Sequence, residues 1–203
     1  MDQPEKIASV RISLAEIAPE IWRRVEVPLS LHLKGLHDVI QAVFGWQDYH
    51  LFEFRIDDKV YGIPDPLDDY GRGTRQARSL RLATIVAKGI TRFEYCYDFG
   101  DDWIHDVVIE SVRIAEPMQH YPRFVDGARR APPEDVGGPY GFERFLAAMR
   151  NRRHREHRNL VTWYGGPFDP DDIDLPNLQR RLAVIVDRRE TGKTAYEKSR
   201  MMR

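Results

Sequence analysis

At 203 residues, with 42% hydrophobic and 31% charged residues, the chain has an ordinary globular composition and is long enough for one large domain or two small ones. Its 31 Lys and Arg against 32 Asp and Glu give a net charge of -1, so only a local patch can attract nucleic acid or a membrane surface. No apolar run approaches about 20 residues and no charged-then-apolar leader opens the chain, which implies a cytoplasmic protein with no membrane partner; the single cysteine, Cys96, excludes an internal disulfide and a multi-thiolate metal site and reads as a small buried residue.

In chain order, Val10 to Leu14 alternates in polarity, and Ile21 to Val27 does so again after a turn at Ala18-Pro19, which predicts a first β-hairpin. Leu33, Leu36, Ile40, Val43 and Phe44 then recur at helical spacing, with His32 and Ser30 in the N-cap region and Gly45 at the C-cap. Phe52 to Ile56 returns to strand alternation. Asp57 to Ser79 carries Gly62, Pro64, Pro66, Gly71 and Gly73 and reads as a long surface excursion with at most a short strand at Lys59 to Gly62. Leu80 to Val86 predicts a short helical turn.

The stretch YCYDFGDDWIH, Tyr95 to His105, organises the rest. Phe93, Tyr95, Tyr97 and Phe99 alternate with polar or small residues, and Trp103 to Val112 is a second strand-like run. A two-residue loop of Gly100 and Asp101 would put Trp103 and His105 on the face of Asp98 and Cys96. An odd loop of Gly100, Asp101 and Asp102 instead pairs Phe99 with Trp103, Tyr97 with His105 and Tyr95 with Val107. The odd loop gathers the aromatics on one buried face, where cross-strand pairs contribute roughly 0.2 to 1 kcal/mol each, and is the register expected.

Glu116 to Gly141 is rich in Pro and Gly and reads as a shaped connector. Beyond it three helical faces follow: Phe142, Phe145, Leu146 and Met149; Leu160, Val161 and Tyr164; and Leu175, Leu178, Leu182 and Ile185. The resulting organisation is α+β: a sheet-and-helix core over 1–115, holding a roll or β-grasp-like mixed sheet with one packed helix; a connector over 116–141; C-terminal helices packed on the core over 142–188; and a polar, fraying tail over 189–203.

The blocks IWRRVEVP, LHDVIQAVFGWQDYHLFEF, YDFGDDWIHDV, YPRFVDGARRAPPEDVGGPYGFERFL and GGPFDPDDIDL, in this order from Val10 to Leu182, resemble the plasmid pRi open-reading-frame-three-like family. The resemblance implies an α+β fold with a roll-like sheet and no agreed activity; some members carry a transposon-resolvase label. Members commonly have cysteines at positions corresponding to Phe124, Arg130 and Val136, so any metal site those cysteines form in relatives is lost here.

Three functions compete. The first is a binding or interaction module of plasmid or mobile-element systems, with a polar and aromatic surface drawn from Arg23, Arg24, Trp46, His50, Asp98, Asp101, Asp102 and His105, since Trp, Tyr and Arg dominate binding hot spots. The bland reading makes Trp22 and Trp46 core and the acids turn formers. The second is nucleic-acid binding or recombination through Arg150, Arg152, Arg153, Arg155 and Arg158 on the first two C-terminal helices, set against a plain solvated face. The third is a metal-assisted hydrolase using Asp98, Asp101, Asp102 and His105, with His50 and Glu53 in support, although no metal-ligand motif spacing is present. No catalytic residue, cofactor or metal is assigned from sequence, the partner is an unspecified protein or nucleic acid, and the oligomeric state is open.

Overall fold

The computed structural model describes residues 4–64 and 73–201, with side chains as far as residue 195 of the last helix. Strands β1 (Lys6–Leu14), β2 (Trp22–Pro28), β3 (Phe52–Ile56), β4 (Lys59–Gly62), β5 (Arg75–Gln76), β6 (Arg92–Tyr97), β7 (Trp103–Ile114) and β8 (Arg123–Ala128) form one sheet in the order β5-β4-β3-β6-β7-β1-β2-β8. Every pairing is antiparallel except β4 with β5, which makes the sheet mixed. Helices α1 (Leu33–Phe44), α2 (Leu82–Ala87), α3 (Gly138–Arg150), α4 (His157–Tyr164) and α5 (Leu175–Met201) complete the chain.

The period-two pattern sorts the sheet into two unlike faces. Val10, Ile12, Val25, Phe54, Tyr95, Tyr97, Trp103 and Val107 are buried on one face beneath α1. The other carries ion pairs, among them Arg11–Glu20, Arg24–Glu110, Arg55–Glu53 and Arg92–Asp106; such partly solvated pairs contribute about 0 to 1 kcal/mol each. Helix α1 begins where the His32 Nδ1 accepts the Gly35 N–H at 3.0 Å and ends at Gly45, whose φ of 82° closes the helix with an N–H to Gln41 O. Its buried side includes two polar residues that grip the sheet. His37 Nδ1 lies 2.8 Å from the Tyr95 hydroxyl, and Gln41 Nε2 donates to the same oxygen at 3.2 Å. Leu178 and Leu182 of α5 are buried in the same core cluster, and α5 packs along α1.

The α+β class, the mixed sheet with a helix packed across it and the helical C-terminal region are those the sequence implied. The central hairpin differs in register. Tyr97 faces Trp103, Tyr95 faces His105 and Phe93 faces Val107, so the turn takes the whole of Asp98–Asp102. The parity, and with it the aromatic face, is as expected, but Phe99 leaves that face and is 45% exposed. The cause is local: Asp98 (φ 56°) and Asp102 (φ 54°) both adopt the left-handed conformation that Asp tolerates, and Asp98 Oδ1 accepts the Gly100 N–H at 3.0 Å.

The connector contains β8, an edge strand on β2 that its Pro and Gly content concealed. The tail from residue 189 continues α5, whose Arg189 and Lys193 side chains pair with Glu5. Pro66 and Gly71 of the expected excursion lie outside the described residues.

The register makes a measurable contrast. Trp103→Ala removes a large buried side chain and is expected to lower the free energy of unfolding in urea by about 3 to 5 kcal/mol, whereas Phe99→Ala at the turn is expected to stay within about 0.5 kcal/mol. Comparable losses for both would place Phe99 on the buried face instead.

Candidate functional site

The chain brings its chemistry together where the end of α1, the β6–β7 turn and the connector meet. Trp46, one residue past the Gly45 cap, is 1% exposed and stacks on Phe44 and Tyr97 at ring-centroid distances of 5.3 and 5.1 Å. Its indole N–H donates to Pro132 O at 2.9 Å, which fastens the connector over the core. On the next connector residues, Glu134 Oε1 accepts the Gln47 N–H at 2.6 Å and the Tyr97 hydroxyl at 3.1 Å. Burial raises the Glu134 pKa above the usual carboxylate value, partly offset by these donors.

A cavity of about 250 Å³ opens between the end of α1, residues 130–134 and the start of α5, lined among others by Arg23, Trp46, Arg130, Tyr164, Asp174 and Asn177. Arg23 projects from β2 and is only 1% exposed. Its guanidinium donates to three carbonyls, Val43 O at 2.9 Å, Trp22 O at 2.8 Å and Ala128 O at 2.9 Å, and lies over the Phe44 ring. Among the described residues Nη2 has no acceptor and no carboxylate lies within 4.0 Å of the side chain. Burial pulls its pKa down to about 10, which leaves it charged at neutral pH. Arg130 is fully engaged, with Tyr164 Oη at 3.0 Å and Asp172 O at 2.8 Å.

Beside this cavity a second cluster forms from three separate segments. His50 Nε2, from the loop between α1 and β3, lies 2.9 Å from Asp135 Oδ1 of the connector, 3.5 Å from Asp98 Oδ2 at the end of β6 and 4.0 Å from Glu134 Oε2.

The residues singled out from sequence scatter more widely. Arg23 and Arg24 were grouped on one surface, but successive strand residues face opposite ways: Arg23 lies under the helix layer, and Arg24 binds Glu110 at 2.7 and 2.8 Å on the outer face. Trp46 and His105 are also interior rather than surface groups. His105 is sealed behind Trp46 and Phe44, with Nδ1 donating to Trp103 O at 2.9 Å and Nε2 without a partner. Asp101 Oδ2 accepts the Gly137 N–H at 3.1 Å and Asp102 Oδ1 accepts from Cys96 Sγ at 3.4 Å, so the acid-and-His set of the hydrolase reading is dispersed; of its members only Asp98 and His50 meet. Burial pushes the Cys96 thiol up to about 12, which makes it unreactive.

Arg150 closes α3, Arg152, Arg153 and Arg155 occupy the turn that follows, and Arg158 stands in the first turn of α4. All are exposed, and none has a carboxylate within 4.0 Å among the described residues. Sequence reasoning passed over Glu134, Asp135, His37 and Asn177. The acid pair in APPEDVGG was the available signal, since adjacent acids in a shaped loop are common donors of ligand oxygens.

His105 also ties the interior to pH. Burial depresses its pKa from 6.5 to about 3, and that of His37 is lowered for the same leading reason. Between about 6.5 and 3 the unfolded chain therefore binds the extra proton, and stability must fall as pH falls through that window, by up to about 1.4 kcal/mol per pH unit for one group. Urea titrations from pH 7 to 4.5 are expected to show this loss, with a shallower slope for His105→Gln; an unchanged slope would place the titration elsewhere.

The family described as plasmid pRiA4b ORF-3-like protein matches residues 6–177. A curated relative from Sinorhizobium fredii (strain NBRC 101917 / NGR234), named uncharacterized protein y4hQ, is 37% identical over 178 residues, covering 87% of this chain and 90% of the relative. The crystal structure of MM3350, a protein of unknown function from Methanosarcina mazei Go1, aligns with a TM-score of 0.76 and 32% identity over 84% of this chain and 96% of that one.

Proposed function

Starting from the finding that the chain belongs to the plasmid pRiA4b ORF-3-like protein family, we propose that it is a binding module whose ligand seats a small anionic group, a carboxylate or phosphate, in the cavity between α1, the connector and α5. The observation that carries this reading is Arg23: a buried cation that lines the cavity without a carboxylate of its own among the described residues. Backbone carbonyls hold the guanidinium in place, and one amino group is left over. A buried, immobilised guanidinium beside a cavity gives an anion a fixed fork of donors in a low dielectric, where each charge-assisted hydrogen bond is stronger than in water. Asn177, Trp46 and Tyr164 in the lining supply the orienting polar group and apolar walls that such cavities use.

Thermal unfolding in the presence of inorganic phosphate or succinate tests this. A ligand at about a hundred times its Kd stabilises by about 2.7 kcal/mol, which raises Tm by several degrees for a chain of this size. A rise is expected for the native chain, larger with the better of the two anions, and is expected to vanish in Arg23→Met and shrink in Asn177→Ala. No rise with either anion, or an equal rise in both variants, overturns the reading.

A second reading rests on a different surface. The unpaired arginines between α3 and α4 form a local basic knuckle on a chain of balanced charge, the footprint by which phosphates of nucleic acid are contacted without sequence specificity. Binding of a 30-base-pair duplex is then expected to weaken steeply with salt, and replacing Arg152, Arg153 and Arg155 by Ala should flatten the slope of log affinity against log salt by about 0.9 per lost contact. Absence of binding at low salt removes this reading.

A further inference from the structure

We propose that His50, Asp98 and Asp135 form a binding site for a divalent transition-metal ion that clips the connector to the end of the sheet. The His50 Nε2, one Asp98 oxygen and one Asp135 oxygen lie within 4.8 Å of one another. The nitrogen is shielded from solvent yet makes no hydrogen bond, because the Asp135 oxygen 2.9 Å away does not lie in line with its N–H direction. Asp98 supplies a second, independent sign. Its side chain is nine-tenths buried, at 10% exposure; Oδ1 is held by the Gly100 and Asp101 N–H groups, and Oδ2 points at His50 without a hydrogen-bond donor among the described residues. A buried imidazole nitrogen left without a hydrogen bond opposite a carboxylate oxygen that also lacks a donor is costly unless a third group lies between them.

The spacing suits an ion. Bonds of about 2.1 Å to N and O ligands make the edges of a coordination polyhedron about 3.0 Å (octahedral) to 3.4 Å (tetrahedral) long. The His50 distances of 2.9 Å to Asp135 and 3.5 Å to Asp98 bracket those edges, and Glu134 Oε2 lies 4.0 Å from the same nitrogen. One imidazole with two or three carboxylates favours Mn²⁺ or Zn²⁺ over an all-oxygen Ca²⁺ site. Asp135 is exposed and the His50 ring reaches solvent, which provides an entry path.

The other compact group, His37, Asp38 and Asp48, is the internal control. Both His37 ring nitrogens have hydrogen-bond partners, and the Lys34 ammonium sits 2.6 Å from Asp38 and 3.1 Å from Asp48, so a cation is already in place.

Calorimetric titration of Mn²⁺ and of Zn²⁺ into the chelator-treated full chain at pH 7.5, together with the change in Tm, reads the site directly. One ion per chain is expected to bind well below about 1 mM and to raise Tm. Asp135→Asn, a surface change that leaves the core intact, is expected to weaken binding at least about tenfold, and Asp38→Asn to leave it unchanged. Lack of saturable binding by either metal, or affinity that survives both Asp135→Asn and His50→Gln, overturns the proposal. The anion response of the neighbouring cavity is a separate measurement, so either result can fail alone.

Discussion

The packing of one indole holds this architecture together. Trp46 emerges from the left-handed turn that ends α1 and lands on the aromatic wall of the sheet, against Tyr97, Trp103 and the edge of His105. Its N–H is spent on Pro132 and its own carbonyl accepts from Arg181 of α5. Helix, sheet, connector and C-terminal helix therefore share a single buried residue. A large flat ring with one polar edge suits that task, because it buries apolar area on both faces while its single donor fixes the orientation.

Around it the interior is unusually polar for a face built from aromatics. Tyr95 survives burial because His37 and Gln41 meet its hydroxyl, and Asp48 in turn holds His37 at 2.8 Å. Proximity to His37 and Lys34 keeps the Asp48 carboxyl near a pKa of about 2, so this chain of groups ends in a full negative charge near the surface. Such a network specifies one seating of α1 on the sheet, since sliding the helix by a turn would strand several polar groups at once. His50 and His105 are different: each keeps a buried ring nitrogen without a hydrogen-bond partner among the described residues. Unmatched groups of this kind are expected where a protein keeps capacity for something outside itself.

The connector brings distant parts of the chain together. Arg130, Pro132, Glu134 and Asp135 follow one another along a path that ends in a turn, and their side chains and carbonyls reach the α4–α5 loop, Trp46, Gln47 and His50. One face of this segment walls the cavity and the other meets the β6–β7 turn. The Arg130 guanidinium bonds to Tyr164 and Asp172, which pins the connector by charge and hydrogen bonding.

What the sequence determined by itself was everything carried by local period and local sterics. The alternation in β1, β2, β3 and β6, the α1 stripe with its His32 and Gly45 ends, and the buried Cys96 all follow from residues near one another in the chain. It also settled which face of the hairpin is aromatic, because side-chain parity survives any even shift of register. It could not settle the shift itself, which depended on two aspartates adopting left-handed backbone to lengthen the turn. Strand β8 stayed hidden because an edge strand gains its hydrogen bonds from β2, far away in sequence, and needs little alternation of its own. The same reason governs the site: Arg23 reads as a surface charge until β8 and α1 cover it, and His50, Asp98 and Asp135 become neighbours only when the Trp46 anchor draws the connector down onto the sheet. Tertiary structure alone decided which charges meet, because electrostatic partnership depends on distance through space, whereas periodicity records only which side of its own element each residue faces.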